Sequence, residues 1–376
     1  MEIYLDNAAT TKPSAEALEA FNRTATDVYG NASALHGLGL KAEKEIKQAR
    51  QSLAKALSCD ASEIVFTSGG TESDNLALIG AALSLKHQGK HIITTQMEHH
   101  AVLHTCAYLE TQGYQVTYIG TKPNGEVDLD ALKQAVRPDT ILISVMAVNN
   151  ETGTVQPIEK LKEIAPQALI HSDCVQALGK IPLNPKKMQV DMMSFSAHKI
   201  HALKGVGALY VKKGVKLTPQ SHGGDQEGVR SGTMNTPAIS AFGVEAEKIA
   251  TDGTRLMADL KEKHDYLAKK LLAEIPDAVI NGENSVHIVN VGFDGVRGEV
   301  LLHALENVGI YVSTGSACTS KSTKISHVLE SMGIKQTLAQ GSVRISLGND
   351  TTYEELDLTV AEIQKQVSFL KRFKRR

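Results

Sequence analysis

The sequence lacks the features that place a chain outside the cytoplasm, in a membrane or on a nucleic acid. Only four cysteines occur in 376 residues: Cys59, Cys106, Cys174 and Cys318. They lie far apart and form no C-x-x-C, so neither a disulfide scaffold nor a zinc site is expected, and a reducing cytoplasm is the expected setting. No run of about 18 apolar residues is present, which excludes an ordinary membrane-spanning helix. The N-terminal MEIYLDNAATTKP has no basic n-region and no apolar h-region, so no secretory signal is expected. Charge of one sign is missing too: 40 basic against 42 acidic side chains leave a formal charge of -2. That balance gives no reason to expect direct nucleic-acid binding or an anionic membrane partner. The one basic run, Lys371-Arg372-Phe373-Lys374-Arg375-Arg376, reads as a solvated tail. Internal repeats and low-complexity linkers are absent.

What is present is an ordinary globular composition, 42% hydrophobic and 22% charged, in a chain long enough for two domains. From about residue 60 to 212, short Ile- and Val-rich runs alternate with helical patterns. The runs are 63–67, 91–95, 115–119, 140–147, 168–172, 191–195 and 206–211, and most lack polar alternation. Such runs fit strands buried on both faces of a largely parallel sheet. Helical patterns fall at 71–86, 100–112, 129–136 and 158–165, which makes the class α/β. Past about residue 250 the pattern changes. A helix over 254–274, strands at 286–291 and 343–346 and a last amphipathic helix over 353–370 predict a smaller α+β domain, joined by the N-terminal segment.

Ligands of α/β sheets bind beyond the carboxyl ends of the strands, so the loops that follow strands are where chemistry is sought. Thr67-Ser68-Gly69-Gly70-Thr71-Glu72-Ser73 follows one strand and opens a helix. Glycines admit a ligand close to the backbone, and free N–H groups at a helix start favour an anion. Thr71 is expected to cap that helix, with Asp74 completing a capping-box-like pair. The G-K-[ST] ending of a Walker A loop is missing, so a phosphate fits better than a nucleoside triphosphate. Ser194-Phe195-Ser196-Ala197-His198-Lys199 ends another strand. A lysine there is placed for a Schiff base, with Ser196 and His198 as further donors to the phosphate. In His171-Ser172-Asp173-Cys174-Val175-Gln176 the acid is placed to cap a helix or to pair with a cofactor ring nitrogen. In Glu98-His99-His100-Ala101, His100 and His104 are four apart, but no acidic third ligand stands at helical spacing, and no metal is expected. His99 is better read as a ring lying on a planar cofactor. Finally, Ser313-Thr314-Gly315-Ser316-Ala317-Cys318-Thr319-Ser320-Lys321 reads as an exposed loop carrying a thiol, with Lys321 near enough to favour the thiolate.

With Tyr4-Leu5-Asp6-Asn7-Ala8-Ala9-Thr10-Thr11, Val148-Asn149-Asn150-Glu151, Arg230-Ser231-Gly232-Thr233 and Val343-Arg344-Ile345-Ser346-Leu347-Gly348, these motifs run in order over nearly the whole chain. In this the sequence resembles the NifS/IscS-like cysteine desulfurases of the class-V aminotransferase family. The resemblance implies the fold-type I architecture of pyridoxal 5'-phosphate transferases, with a seven-stranded mostly parallel sheet in a large domain, and a homodimer. Residues 14–251 would form the large cofactor-binding domain. Residues 1–13 and 252–376 would form a small domain carrying the catalytic cysteine loop.

By the same resemblance Lys199 would hold pyridoxal phosphate, Asp173 would pair with its ring nitrogen, and Gln176 and Asn150 would contact the ring hydroxyl region. His99 would stack on the ring and join the catalysis, Gly70, Thr71, Ser196 and His198 would bind the phosphate, and Thr233 would reach the phosphate of the neighbouring subunit. Arg344, with Asn150, would bind substrate, the guanidinium taking its carboxylate. L-cysteine would become L-alanine, leaving a persulfide on Cys318 for a sulfur-acceptor protein of tRNA thiolation, thiamine or iron–sulfur cluster biosynthesis. Another fold-type I enzyme, a selenocysteine lyase or an aminotransferase, is the alternative; an aminotransferase has no use for Cys318. The chain departs from the family pattern at Ala202-Leu203, where Gly-Pro is usual, at Asp225, where a glycine is common, and before Arg230, where a basic residue is often seen. None of these removes a catalytic group. The chain also stops soon after its last helix, without the tail that helps IscS-like members engage a scaffold, so a tRNA- or thiamine-thiolation acceptor is expected as an option beside iron–sulfur delivery.

Overall fold

The fold is taken from a computed structural model, which describes residues 2–224, 228–315 and 325–374. Cys318 and Asp225 lie outside the described residues.

The chain begins with a short strand, β1 (Ile3–Tyr4), followed by helices Ala15–Asp27 and Gly37–Leu57. The main sheet is then laid down by β2 (Ile64–Thr67), β3 (His91–Thr95), β4 (Gln115–Ile119), β5 (Thr140–Ser144), β6 (Leu169–Asp173), β7 (Met192–Ser196) and β8 (Gly207–Val211). Their spatial order is β2-β8-β7-β6-β5-β3-β4, with β8 antiparallel to both neighbours and every other pair parallel. Successive residues of the central strands enter different cores. Ile92, Leu142, Met192 and Leu209 pack on one face with Leu76 and Leu109, while Ile93, Ile143, Met193 and Ala208 pack on the other with Leu53 and Phe242. With both faces covered, polar alternation has no place, which is why these strands read as continuous apolar runs.

Beyond the sheet, β9 (Ala278–Ile280), β10 (Ile288–Phe293) and β12 (Ser342–Ser346) form an antiparallel sheet in the order β12-β10-β9. β1 pairs in parallel with β11 (Ile310–Tyr311). A separate core, with Leu5, Leu267, Phe293, Leu305, Ile345 and Ile363, fills this region.

Several elements differ from the sequence reading. The helix expected from 254 begins at Thr236, where the Asn235 side chain accepts from Ala238 N and Pro237 sits in the first turn. Its first half presents small residues, Ala238, Ala241, Gly243 and Ala246, so it carries no strong apolar stripe, yet it is buried against Gly37–Leu57. The helix expected over 158–165 is a 3-10 turn, Ile158–Lys160, and one helical turn, Leu161–Ile164, stopped ahead of Pro166. The strand expected over 140–147 ends at Ser144, although Val145 and Ala147 still donate to carbonyls of β6 and its exit, at 3.1 and 2.9 Å. At the Ala202-Leu203 departure, Ala202 is buried in the large core and its N–H donates to Ala197 O at 3.2 Å.

The long helix offers a test of its packing. A Cβ on Gly243 would lie 2.6 Å from both Cα and Cβ of Ala49, so Gly243→Ala must push two helices apart. On Gly253 the nearest atom would be Met257 Cε at 3.2 Å, the free end of a flexible side chain. Urea unfolding is expected to show Gly243→Ala losing about 1–3 kcal/mol, and Gly253→Ala neutral or gaining up to about 1 kcal/mol.

Candidate active site

Because β2 and β7 run the same way as β3, β5 and β6, the loops leaving all five strands open on one edge of the sheet. There lies a cavity of about 280 Å³, lined by residues from each of these loops and from the N-terminal segment. Strand order reverses between β3 and β5, so this is the switch-point crevice where α/β sheets bind ligands.

Lys199 is set by β7, which ends at Ser196 and turns through Ala197–Lys199. Its Nζ donates to the carbonyls of Ala8 and Ala9 at 2.5 and 2.7 Å. Asp173 ends β6, and its Oδ1 accepts from Val175 N at 2.9 Å. Burial raises its pKa, against the pull of the Val175 N–H and the Lys199 charge. Asp74 lies beside it, fully buried, its pKa pushed well up by burial and then by the Asp173 charge. His171, behind them, bridges Ser144 Oγ (2.9 Å) and Ser194 Oγ (3.0 Å). Burial lowers its pKa to about 3, so it stays neutral and offers the acids no positive charge. The floor of the cavity thus carries acids that a protonated ring nitrogen would satisfy.

At the other end, helix Gly70–Ser84 opens without a side-chain cap. This corrects the expectation that Thr71 caps it. Gly69 is the N-cap, with φ +155°, a conformation that L side chains rarely adopt. Thr71 stands in the first turn, and Asp74 faces the buried acids instead of the cap. A Cβ on Gly70 would lie 2.6 Å from Val175 Cγ2, so the backbone approach needs glycine. Uncapped N–H groups with Ser196 and His198 facing them make an anion cradle. His198 Nδ1 pairs with Thr10 Oγ1 at 3.1 Å, and burial, then Lys199 and Lys204, lower its pKa to about 4.

His99 Nδ1 accepts from Ala101 N at 3.1 Å, which puts the proton of the neutral ring on Nε2. Burial and then Lys199 lower its pKa to about 4. His100 stacks on His104 with centroids 5.1 Å apart, and the tilted His327 ring has its centroid at the same distance from His100. Among the described residues no group of three or more His, Cys, Asp or Glu is arranged to hold a metal. Gln176 Nε2 donates to Ala8 O at 2.8 Å. Arg344, on β12 and almost fully buried, donates from Nη1 to Asn150 O (2.8 Å) and from Nη2 to Asp6 Oδ1 (2.7 Å), while its buried Nε has no partner among the described residues.

Ten of the twelve residues singled out from sequence line this one cavity: Gly70, Thr71, His99, Asn150, Asp173, Gln176, Ser196, His198, Lys199 and Arg344. Thr233 is exposed and does not line it. Cys318 stands three positions after Gly315, the wall residue nearest to it in sequence. Sequence reasoning missed Ala8, Ala9, Glu98, Glu151 and His327, and it assigned Asp74 to a cap. Glu98 and Glu151 stood inside quoted motifs, but nothing local marks a carboxylate as buried.

A family model described as "Aminotransferase class-V" matches residues 3–359. A protein named cysteine desulfurase from Trichormus azollae is 46% identical over 99% of this chain and 95% of its own length. A solved structure titled "NIFS-LIKE PROTEIN" is 38% identical, with a TM-score of 0.91 over 98% of this chain and 100% of that one. Another, titled "SspA in complex with cysteine", is 35% identical, with a TM-score of 0.82 over 93% of this chain and 100% of that one. The chain belongs to the class-V aminotransferases and, within them, to the cysteine desulfurases.

In this cysteine desulfurase fold a further buried acid precedes His99 in the chain. Glu98 is fully buried, accepts at Oε1 from Thr95 Oγ1 (2.7 Å) and Met146 N (3.0 Å), and its Oε2 has no partner among the described residues. Burial pushes its pKa up from 4.5 to about 8. In the unfolded chain it ionises near its ordinary value, so the unfolded state binds fewer protons between those two limits. Stability from this group is therefore full below about 4.5 and lost as pH rises towards 8. Glu98→Gln carries no such proton. Urea unfolding across that window is expected to show its stability relative to the parent rising with pH, by an amount on the order of a few kcal/mol.

Proposed function

We propose that this chain is a pyridoxal-phosphate-dependent cysteine desulfurase that converts L-cysteine to L-alanine and takes the sulfur onto Cys318 as a persulfide. The observation that carries this reading is the convergence of Lys199, Asp173 and Arg344 on one cavity with an uncapped helix start at its far end. The residues fit the cofactor: Lys199 would hold it, the buried acid of Asp173 would face its ring nitrogen, His99 would cover the ring, Gln176 and Asn150 would reach its hydroxyl side, and Gly70, Thr71, Ser196 and His198 would take the phosphate. Thr233, exposed on its own chain, is assigned to the phosphate of a second copy in a homodimer. When bound, pyridoxal phosphate supplies an electron sink that acidifies the substrate Cα–H and eases cleavage of the Cβ–S bond.

The chain's own groups do the rest. The Arg344 guanidinium, steadied by Asp6 and by Asn150 O, keeps its Nε–H for the substrate carboxylate. Lys199, freed from its first task, moves the Cα proton. The Cys318 thiolate forms an S–S bond to the substrate sulfur as the Cβ–S bond breaks. The electron pair stays with the carbon skeleton, which gains protons to become alanine, so no outside oxidant or reductant is needed. The other cysteines support this assignment. Cys106 and Cys174 are buried with their thiol pKa values pushed up by burial, and burial raises that of Cys59 to about 12. None of the three is a ready thiolate.

The second core, drawn from residues 3–5 and 260–367, supports a division into a cofactor-binding unit, 14–251, and a unit of 1–13 with 252–376 carrying Cys318, joined by the continuous helix Thr236–Glu274, although Val328, Leu329 and Met332 pack in the large core. Persulfide sulfur would pass to an acceptor protein of tRNA thiolation, thiamine or iron–sulfur cluster biosynthesis. Among the described residues no helix is long and apolar enough to cross a membrane, and a reducing cytoplasm suits a reactive thiol.

Two experiments test this reading. Cys318→Ala is expected to keep the visible absorbance of the bound cofactor while losing persulfide and cysteine-dependent alanine, whereas Lys199→Ala loses both absorbance and turnover. Alanine and sulfide produced by Cys318→Ala at the parent rate would overturn the assignment. In steady-state kinetics, Arg344→Lys is expected to raise KM for L-cysteine by about tenfold or more, with a smaller change in kcat, because an ammonium lacks the Nε–H that the fixed guanidinium offers the carboxylate.

A further inference from the structure

Glu151 is fully buried on the cavity wall, and no step above uses it. Its backbone is fixed in a tight turn: its N–H donates to Asn149 Oδ1 at 2.9 Å, and its carbonyl accepts from Asn290 Nδ2 at 3.2 Å. The carboxylate is thereby delivered to a set place, where it meets both ends of the stretch that contains Cys318. On one side the Ser326 hydroxyl donates to Oε2 at 2.5 Å, and that hydroxyl also accepts from Val328 N and Leu329 N, each at 3.2 Å, capping helix His327–Ser331. On the other side Gly315, with φ +106°, passes so close that a Cβ there would stand 2.8 Å from the same Oε2. Oε1 is buried with no partner among the described residues. A carboxylate out of water is costly unless bonded, so a bond from hydroxyl to Oε2 is held firmly.

We propose that Glu151 is a positioning residue: it fixes Ser326 by a hydrogen bond, stands against the close approach of Gly315 at the same point on the cavity wall, and so governs delivery of the Cys318 thiol to the substrate sulfur. This rests on the assignment of Cys318 as the sulfur acceptor. Glu151 exchanges no atom in the reaction. The S–S bond still forms between Cys318 and the substrate as the Cβ–S bond breaks, with the electron pair leaving on carbon. Its effect is confined to the approach of the thiol. The Cα proton chemistry needs Lys199, Asp173 and Arg344 but no thiol, whereas sulfur transfer needs all of them and Cys318. A carboxylate that merely stabilised the cavity would affect both steps alike.

The test uses the full-length, cofactor-loaded protein and two readouts. One is exchange of the L-alanine Cα proton in D2O; the other is single-turnover persulfide formation on Cys318 from L-cysteine, both followed by mass spectrometry. Glu151→Ala and Gly315→Ala are expected to slow persulfide formation by about tenfold or more, the scale of misplacing a reacting atom, while Cα exchange stays within about threefold. Glu151→Gln, whose amide oxygen still accepts from Ser326, is expected to recover much of the loss. Equal loss of both readouts, or unchanged persulfide formation, overturns the proposal. Should Glu151→Ala fail to fold, Gly315→Ala makes the same comparison with one added methyl. Absence of a Cys318 persulfide in the parent protein sinks the Cys318 assignment and this proposal together, and is told apart because it appears without any substitution at 151 or 315.

Discussion

Asp173 and Asp74 lie out of water at the floor of the cavity, where burial and their closeness make ionisation costly unless a cation stands above them. His171 behind them stays neutral, held between two serine hydroxyls. Lys199 is the cation facing Asp173 from within the cavity. A low-dielectric floor makes each charge expensive alone and strengthens any pairing across it. The protonated ring nitrogen of pyridoxal phosphate is a group of the right sign for that place. Around that floor stand the His99 ring, the uncapped helix start at Gly70 and the buried guanidinium of Arg344.

The second core supplies Arg344 to the cavity, and the two regions meet through packing of Val328, Leu329 and Met332 in the large core and through hydrogen bonds at the site. Arg344 leaves β12, reaches Asp6 of the N-terminal segment, and takes the Asn150 carbonyl from a loop of the main sheet. The N-terminal segment in turn offers the Ala8 and Ala9 carbonyls to Lys199 and the Ala8 carbonyl to Gln176. A stretch of a few residues at the start of the chain therefore touches both Lys199 and Arg344. This gives the Asp6-Asn7-Ala8-Ala9 motif a physical meaning beyond its use as a family marker.

Much of the site was legible because strand ends advertise themselves. A polar cluster after an apolar run, as at Ser196–Lys199 or His171–Gln176, breaks the pattern where a buried strand reaches the cavity. Asp74 was misread because S/T-x-x-D spacing is also a capping pattern, and only burial beside Asp173 tells the two apart. The start of the long helix at Thr236 was missed because Ala and Gly carry little hydrophobic signal, although they permit a close helix contact, Gly243 on Ala49.

By itself the sequence determined the alternation of buried strands and helices, the seven strands of the main sheet, and the residue types gathered at strand ends. These are local properties, written in runs of a few residues, so a linear reading reaches them. Tertiary structure alone decided that ten of those residues share one cavity, that backbone carbonyls of residues 8 and 9 face Lys199, and that Glu151 stands against both Gly315 and Ser326. Those facts depend on segments hundreds of residues apart coming together, and on burial setting the charge of Asp74, Glu98 and Asp173. No local pattern carries that information, because desolvation is a property of surroundings and not of sequence position.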